Sequence, residues 1–419
     1  MAAPKMLLVF CDGTGGDGLI TDDDDSTHNT QFPTNVVRLS RAIRPIQYLP
    51  NGQPIVQIVL YQSGVGSEAD IAGKEIEGDD VRKAFGIALA SKIRDAYAFL
   101  AHNYSEGDQI CLFGFSRGAY TARKVAGLID RIGLLNGQEM GSFFKIWSSL
   151  VSNINPPPRP ANVPPIKCVG VWDTVGSIQD GLFTAITDML NIKDSVLPAN
   201  VEHAFHGISL QENRGRFLPV SWSAGPEGLR PGQVLKQVWF GGAHSDVGGG
   251  YEHHELSDLP LFWMASEIQA FVAIDLDYLI HTCHKNPNQP WGQAQPHNSL
   301  DEEPNPITRA VYGHETRLES GHITPDAIFH ESLRLAPTVL TCIEPERVVT
   351  FNDLREKFGK DWVPTYAPLN NFEKKCKEQW GKLAPSAHAP LANENFSKQE
   401  TPQGFVSELA NPLKLLSRL

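Results

Sequence analysis

The chain has 419 residues, of which 41% are hydrophobic and 20% charged, with a formal net charge of −12. These proportions describe a folded globular protein with a large core rather than a disordered chain, and no Lys/Arg cluster supplies the basic stripe that a nucleic-acid binder needs. No apolar stretch approaches the ~20 residues of a membrane span, and the run 6–10 is too short for the apolar region of a signal peptide, so the expected location is cytoplasmic, or outside the cell by a route without a cleaved signal.

In chain order, the first apolar run is Met6–Cys11, which ends at Asp12-Gly13-Thr14-Gly15-Gly16. The acidic run Asp22–Asp25 reads as a solvated loop. A second run, Ile55–Tyr61, ends at Gln62-Ser-Gly-Val-Gly. Asp80–Asn103 then repeats apolar residues at helical spacing (Ala88, Leu89, Ile93, Ala96, Tyr97 and Leu100 among them) and stops before Gly107. Gln109–Phe113 leads into Gly114-Phe-Ser-Arg-Gly118, and Ala119–Ile132 continues as a helix. Pro156–Pro165 is a stiff proline-rich connection. Ile166–Trp172 leads into Asp173-Thr-Val-Gly176. Gly181–Ile192 has one apolar helical face and is either a lid or an ordinary core helix. The fifth run, Val234–Phe240, precedes Gly241-Gly-Ala-His-Ser-Asp-Val-Gly-Gly-Gly250.

Unbroken apolar runs of this length suit strands buried on both faces, and their alternation with helices predicts an α/β, α/β-hydrolase-like fold with a mostly parallel central sheet. Helical insertions are expected near 136–165 and 178–235. Residues 1–345 form the expected catalytic domain, and 346–419, polar and rich in Pro, Asn and Lys, a peripheral C-terminal appendage in which Phe405–Leu419 is a candidate docking helix. The six cysteines include no CxxC pair, and Cys11, Cys111 and Cys168 lie inside apolar runs, which argues against a disulfide framework.

The polar segments all fall at strand ends, where ligands bind in parallel sheets. The sharpest is the G-x-S-x-G of Gly114–Gly118, which sits between a strand and a helix as a nucleophile elbow does. Ser116 is therefore the candidate nucleophile, and it requires a base held by an acid. In this fold class the acid usually follows the second strand after the nucleophile strand. That spacing favours Asp246, with Asp173 as the alternative. One strand later, His330 is the favoured base, and His322, His284 and His244 are the alternatives. The oxyanion donors are expected to be the backbone N–H of Arg117 and the loop at Gly13 and Thr14.

Taken together, Cys11–Gly15, Gly107-Asp108, Gly114–Arg123, Gly170–Gly176 and Trp239–Tyr251 resemble an uncharacterised α/β-hydrolase family that includes one class of bacterial type VI secretion lipase effectors. The resemblance spans roughly residues 6–335. It implies a Ser-Asp-His triad built on Ser116, with an acid in His244-Ser245-Asp246, and His330-Glu331-Ser332 resembles the family's late His-x-Ser element. It implies cleavage of the fatty-acyl esters of lipids; small-molecule esters are an equal expectation, by an acyl-enzyme route and without a cofactor.

Other chemistries compete. Leu7–Thr14 looks like the start of an aspartyl phosphohydrolase, with Asp12 as nucleophile and Mg²⁺ as cofactor, although Thr14 stands where a second Asp is expected. Asp12, Asp173 and Asp246, with His253 and His254 nearby, could converge on a hard cation. A non-catalytic binding protein on the same fold is a further alternative.

Overall fold

The computed structural model describes residues 4–14, 16, 32–65, 79–176, 189–193, 195–283, 288–303, 306–341 and 347–380, the side chains of 79–87, 189 and 307 excepted. Gly15, the Asp22–Asp25 run, His284, Cys342, residues 181–188 of the possible lid and the Phe405–Leu419 stretch lie outside these. The chain divides into the units Met1–Lys382 and Leu383–Leu419, and every described strand and helix belongs to the first unit.

The N-terminal half supplies β1 (Lys5–Cys11), α1 (Asn35–Ala42), β2 (Ile46–Tyr48), β3 (Pro54–Gln62), α2 (Asp79–Asn103), β4 (Gln109–Phe115), α3 (Ser116–Ile132), α4 (Phe143–Ser152) and β5 (Ile166–Trp172). It is followed by β6 (Val201–Ser209), β7 (Val234–Phe240), α5 (His244–Gly248), α6 (Glu255–Ile268), α7 (Leu276–His281) and α8 (Pro306–Tyr312). The last elements are β8 (Ile328–His330), α9 (Phe351–Phe358), β9 (Thr365–Ala367) and α10 (Asn371–Gln379).

The strands form one nine-stranded sheet in the order β2-β3-β1-β4-β5-β6-β7-β8-β9. The short edge strand β2 runs antiparallel to β3, and the remaining neighbours pair in parallel. This is the predicted α/β-hydrolase-like sheet. Its central strands carry continuous apolar runs because helices cover both faces: Met6–Phe10 and Ile110–Phe113 are fully buried. Leu89, Ile93, Ala96, Tyr97 and Leu100 of α2 join the same core, as their spacing predicts.

The chain leaves β1 for β3 on one side and returns to β4 on the other. The loops after β1 and β4 therefore part in opposite directions and leave a crevice at the carboxyl ends of these strands. Asp12–Thr14 follows β1 and Ser116 follows β4.

Two parts of the expected organisation differ. The region 178–235, expected as an insertion, contains β6, a full member of the sheet. The polar residues that broke its apolar pattern have partners: Glu202 pairs with Lys167 at 2.7 Å, His203 Nδ1 lies 3.1 Å from the Lys167 carbonyl, and His206 Nε2 accepts the Thr174 N–H at 3.1 Å. The expected boundary at 345/346 also falls inside the first unit, because β9 pairs with β8 and α10 follows it. At the end of the possible lid, Leu190 is buried and the Ile192 carbonyl accepts Lys124 Nζ of α3 at 2.7 Å, so this end belongs to the core.

Candidate active site

Ser116 stands at the junction of β4 and α3 with φ of 57°, a left-handed conformation that costs a non-glycine residue about 1–3 kcal/mol and persists only where its surroundings enforce it. The flanking glycines provide that enforcement. A Cβ on Gly114 would stand 2.4 Å from the Gly118 carbonyl oxygen, and one on Gly118 would stand 2.1 Å from that of Cys11. The G-x-S-x-G pattern is thus a packing requirement that presses the start of α3 against the end of β1.

Asp173 follows β5, and its backbone is also left-handed, with φ of 39°. Its buried carboxylate lies 2.5 Å from His244 Nδ1 and accepts the Ser209 N–H at 2.9 Å. Arg317 grips it with both terminal nitrogens, at 2.5 and 2.8 Å. Burial alone would raise this carboxyl's pKa, but the Arg317 charge and hydrogen bonds, joined by His244, hold it well below the usual carboxylate range.

His244 opens α5 at the end of β7. Its ring packs on Phe115, the neighbour of Ser116, at 4.6 Å, and edge-on to Phe217 at 5.1 Å. Its Nε2 is buried and has no hydrogen-bond partner among the described residues. Burial is the main cause that lowers the pKa of this imidazole, against the opposing pull of Asp173. The His244 backbone N–H donates to Glu212 at 3.0 Å. Burial alone would raise the Glu212 carboxyl, but the charge and hydrogen bonds of Arg214, joined by the charges of His244 and Arg317, together hold it down to about 2.

The favoured acid and base of the sequence analysis, Asp246 and His330, are not brought together. Asp246 sits on α5 two residues past His244 and accepts the Ala243 N–H at 2.8 Å, the His297 N–H at 2.9 Å and His297 Nδ1 at 2.6 Å. His330, at the end of β8, has both ring nitrogens engaged: Nε2 with Glu373 of α10 at 2.7 Å and Nδ1 with Ser332 at 2.8 Å. The Glu373 bond ties α10 to the end of β8. His330→Ala is expected to lower stability by about 3 kcal/mol, because the buried Glu373 loses its partner, while kcat/KM of the folded protein stays near wild type. Urea unfolding and initial rates check the two halves separately. His322 Nδ1 bonds Ser320 at 2.8 Å.

In the loop after β1, the Gly13 N–H donates to the Asp12 carboxylate at 2.7 Å, so it is already committed. The loop nevertheless lies against the elbow, since a Cβ on Gly13 would be 3.5 Å from Ser116 Cβ. Asp12 also accepts Thr34 Oγ1 at 2.8 Å and Tyr61 OH at 2.6 Å. Among the described residues, no three His, Cys, Asp or Glu side chains gather closely enough to hold a metal ion. Arg317 and Glu212 went unseen in the sequence, where no local pattern marks them; they reach the site from loops remote in the chain.

A serine on a strained strand–helix elbow, at the switch point of a mostly parallel sheet, is the layout of an α/β-hydrolase-like protein. The family model described as the type VI secretion system phospholipase effector Tle1-like catalytic domain matches residues 5–162 and 157–267, and the chain belongs to this family. An uncharacterised Saccharomyces cerevisiae protein, YEL023C, is 30% identical over 258 residues, covering 51% of this chain and 36% of the yeast protein. A solved structure of the Tle1 effector bound to the VgrG spike of the type VI secretion system is similar over 59% of this chain and 51% of its own, with 20% identity and a TM-score of 0.35. An uncharacterised protein from Pseudomonas aeruginosa is similar over 65% of this chain and 46% of its own, with 19% identity and a TM-score of 0.36. The chain thus spans about a third of the yeast relative and about half of each solved chain. Among the described residues, no helix is long and apolar enough to cross a membrane.

Proposed function

We propose that this chain is a serine-dependent carboxylic ester hydrolase, with Ser116 as nucleophile, His244 as general base and Asp173 as the acid that orients it. The carrying observation is His244 itself. One ring nitrogen is fixed by Asp173 at 2.5 Å, the other is buried with no partner among the described residues, and the ring packs on the residue next to Ser116. An imidazole held in this way keeps its proton on Nδ1 and offers the Nε2 lone pair to a hydroxyl. The order Ser116, Asp173, His244 is that of α/β-hydrolases, and all three residues lie within the 5–267 region that matches the family, whereas His330 lies beyond it.

In this reading, His244 Nε2 takes the hydroxyl proton as Ser116 Oγ attacks the ester carbonyl. The oxyanion is received by the Arg117 N–H and by the loop at Thr14, because the Gly13 N–H is committed to Asp12. The tetrahedral intermediate collapses, the proton passes from His244 to the departing alcohol, and an acyl-Ser116 ester remains. Water, deprotonated by the same ring, then releases the acid and restores the serine. The family's name supports a lipid ester as substrate.

The test combines fluorophosphonate labelling with hydrolysis of p-nitrophenyl esters of increasing chain length and of phosphatidylcholine in mixed micelles. Wild type is expected to be labelled and to turn over esters, and His244→Ala to react about 10²–10⁴-fold more slowly, the usual contribution of a general base. A chain-length optimum at long acyl groups separates lipase from esterase. Full activity of His244→Ala would remove this assignment of the base.

A further inference from the structure

A triad acid needs only one bond to its histidine, yet Asp173 carries much more. Arg317 comes from the loop between α8 and β8, and its side chain is 1% exposed. The two nitrogens that grip Asp173 also donate to the carbonyls of Ser209 and Phe217, each at 2.7 Å. Stripping water from a guanidinium to this degree is costly, and a scaffold need alone could be met by apolar packing of similar volume.

A second pair of the same kind stands on the other side of His244. Glu212 accepts the His244 backbone N–H, and Arg214 holds Glu212 through Nε at 2.8 Å and a terminal nitrogen at 3.0 Å. Among the described residues, the charged groups bonded around the imidazole are Asp173, Glu212, Arg317 and Arg214, and its ring neighbours Phe115 and Phe217 carry no charge. Each carboxylate is balanced by its own arginine.

We infer that Arg317 is a positioning residue that governs the protonation of His244: it fixes both oxygens of Asp173 and cancels their charge, so the imidazole remains a neutral base as the pH falls. A lone carboxylate at this distance favours the imidazolium by about 1–3 pK units, and a protonated ring cannot accept the Ser116 proton. The inference rests on the proposed triad.

The test is the pH profile of kcat/KM on a soluble p-nitrophenyl ester for wild type, Arg317→Gln and Arg317→Lys. In Arg317→Gln the acid limb is expected to move up by about 1 pH unit, together with a lower plateau. Arg317→Lys keeps the cation but loses the fork, so its plateau falls while the limb stays near that of wild type. A folded Arg317→Gln protein with the wild-type limb overturns the inference. NMR titration of the His244 ring in the Ser116→Ala protein needs no change at position 317. There, titration below the ordinary histidine value of about 6.5 is expected, and titration above it also overturns the inference. His244→Ala reads the triad separately: if that variant is inactive while the Arg317→Gln limb is unmoved, only the role of Arg317 fails.

Discussion

Ser116→Ala is expected to reduce ester turnover by about 10⁴–10⁶-fold and to abolish fluorophosphonate labelling, with the fold intact. The substitution removes only Oγ. The left-handed backbone at φ of 57° is imposed by the Gly114 and Gly118 contacts, and alanine experiences it as serine does. Thermal melts of the two proteins should therefore nearly superimpose. Any residual rate reflects binding and the oxyanion donors alone. Labelling and full turnover by Ser116→Ala would show that the elbow is only structural, and Asp12 would then become the residue to test.

Asp173→Ala is expected to damage both stability and chemistry, which distinguishes it from Ser116→Ala. It leaves the buried Arg317 guanidinium without its counter-charge, and breaking a buried pair in this way costs about 3–5 kcal/mol. It also frees His244 Nδ1, so the ring loses its tautomer and orientation, a defect worth about 10⁴-fold in rate in related chemistry. Urea denaturation measures the first effect, and initial rates well below the transition measure the second. The pH dependence of stability follows the same pair. The folded carboxyl is held below its unfolded value, so the stabilisation is complete above about pH 4 and is lost only as pH falls through the depressed folded value. Asp173→Ala should accordingly flatten the acid side of the stability curve. Wild-type stability and rate in Asp173→Ala would return attention to Asp246 and its partner His297.

Local sequence made much of this legible. The runs at β1, β4 and β5 are apolar because both sides of the sheet are buried there, and the elbow's glycines are dictated by carbonyls closer than 2.5 Å to where a side chain would begin. What escaped depends on distant partners. Strand β6 carries Glu202, His203 and His206, each bonded to Lys167 or Thr174, and this mixture hid a buried strand. Without β6 the count along the sheet is short by one. The residue at the end of β7 then looks like the acid, and the base is sought in β8. With β6 restored, β7 is the third strand after β4, the place where the base was expected, and His244 stands there; the same count points to the end of β6 for the acid, whereas Asp173 follows β5, one strand earlier. Arg317 lies 144 residues from Asp173, a separation that no periodicity or motif reports.

The far end of the sheet also bears on where the chain can be shortened. The family match stops at residue 267, and the polar composition after 345 invites a cut there. Such a cut would remove β9 and α10, exposing the backbone of β8 as a raw edge and leaving His330 without Glu373. An open parallel edge invites strand addition from other molecules and precipitation during expression. A minimal fragment for crystallisation or screening has to extend past Gln379, the last residue of α10.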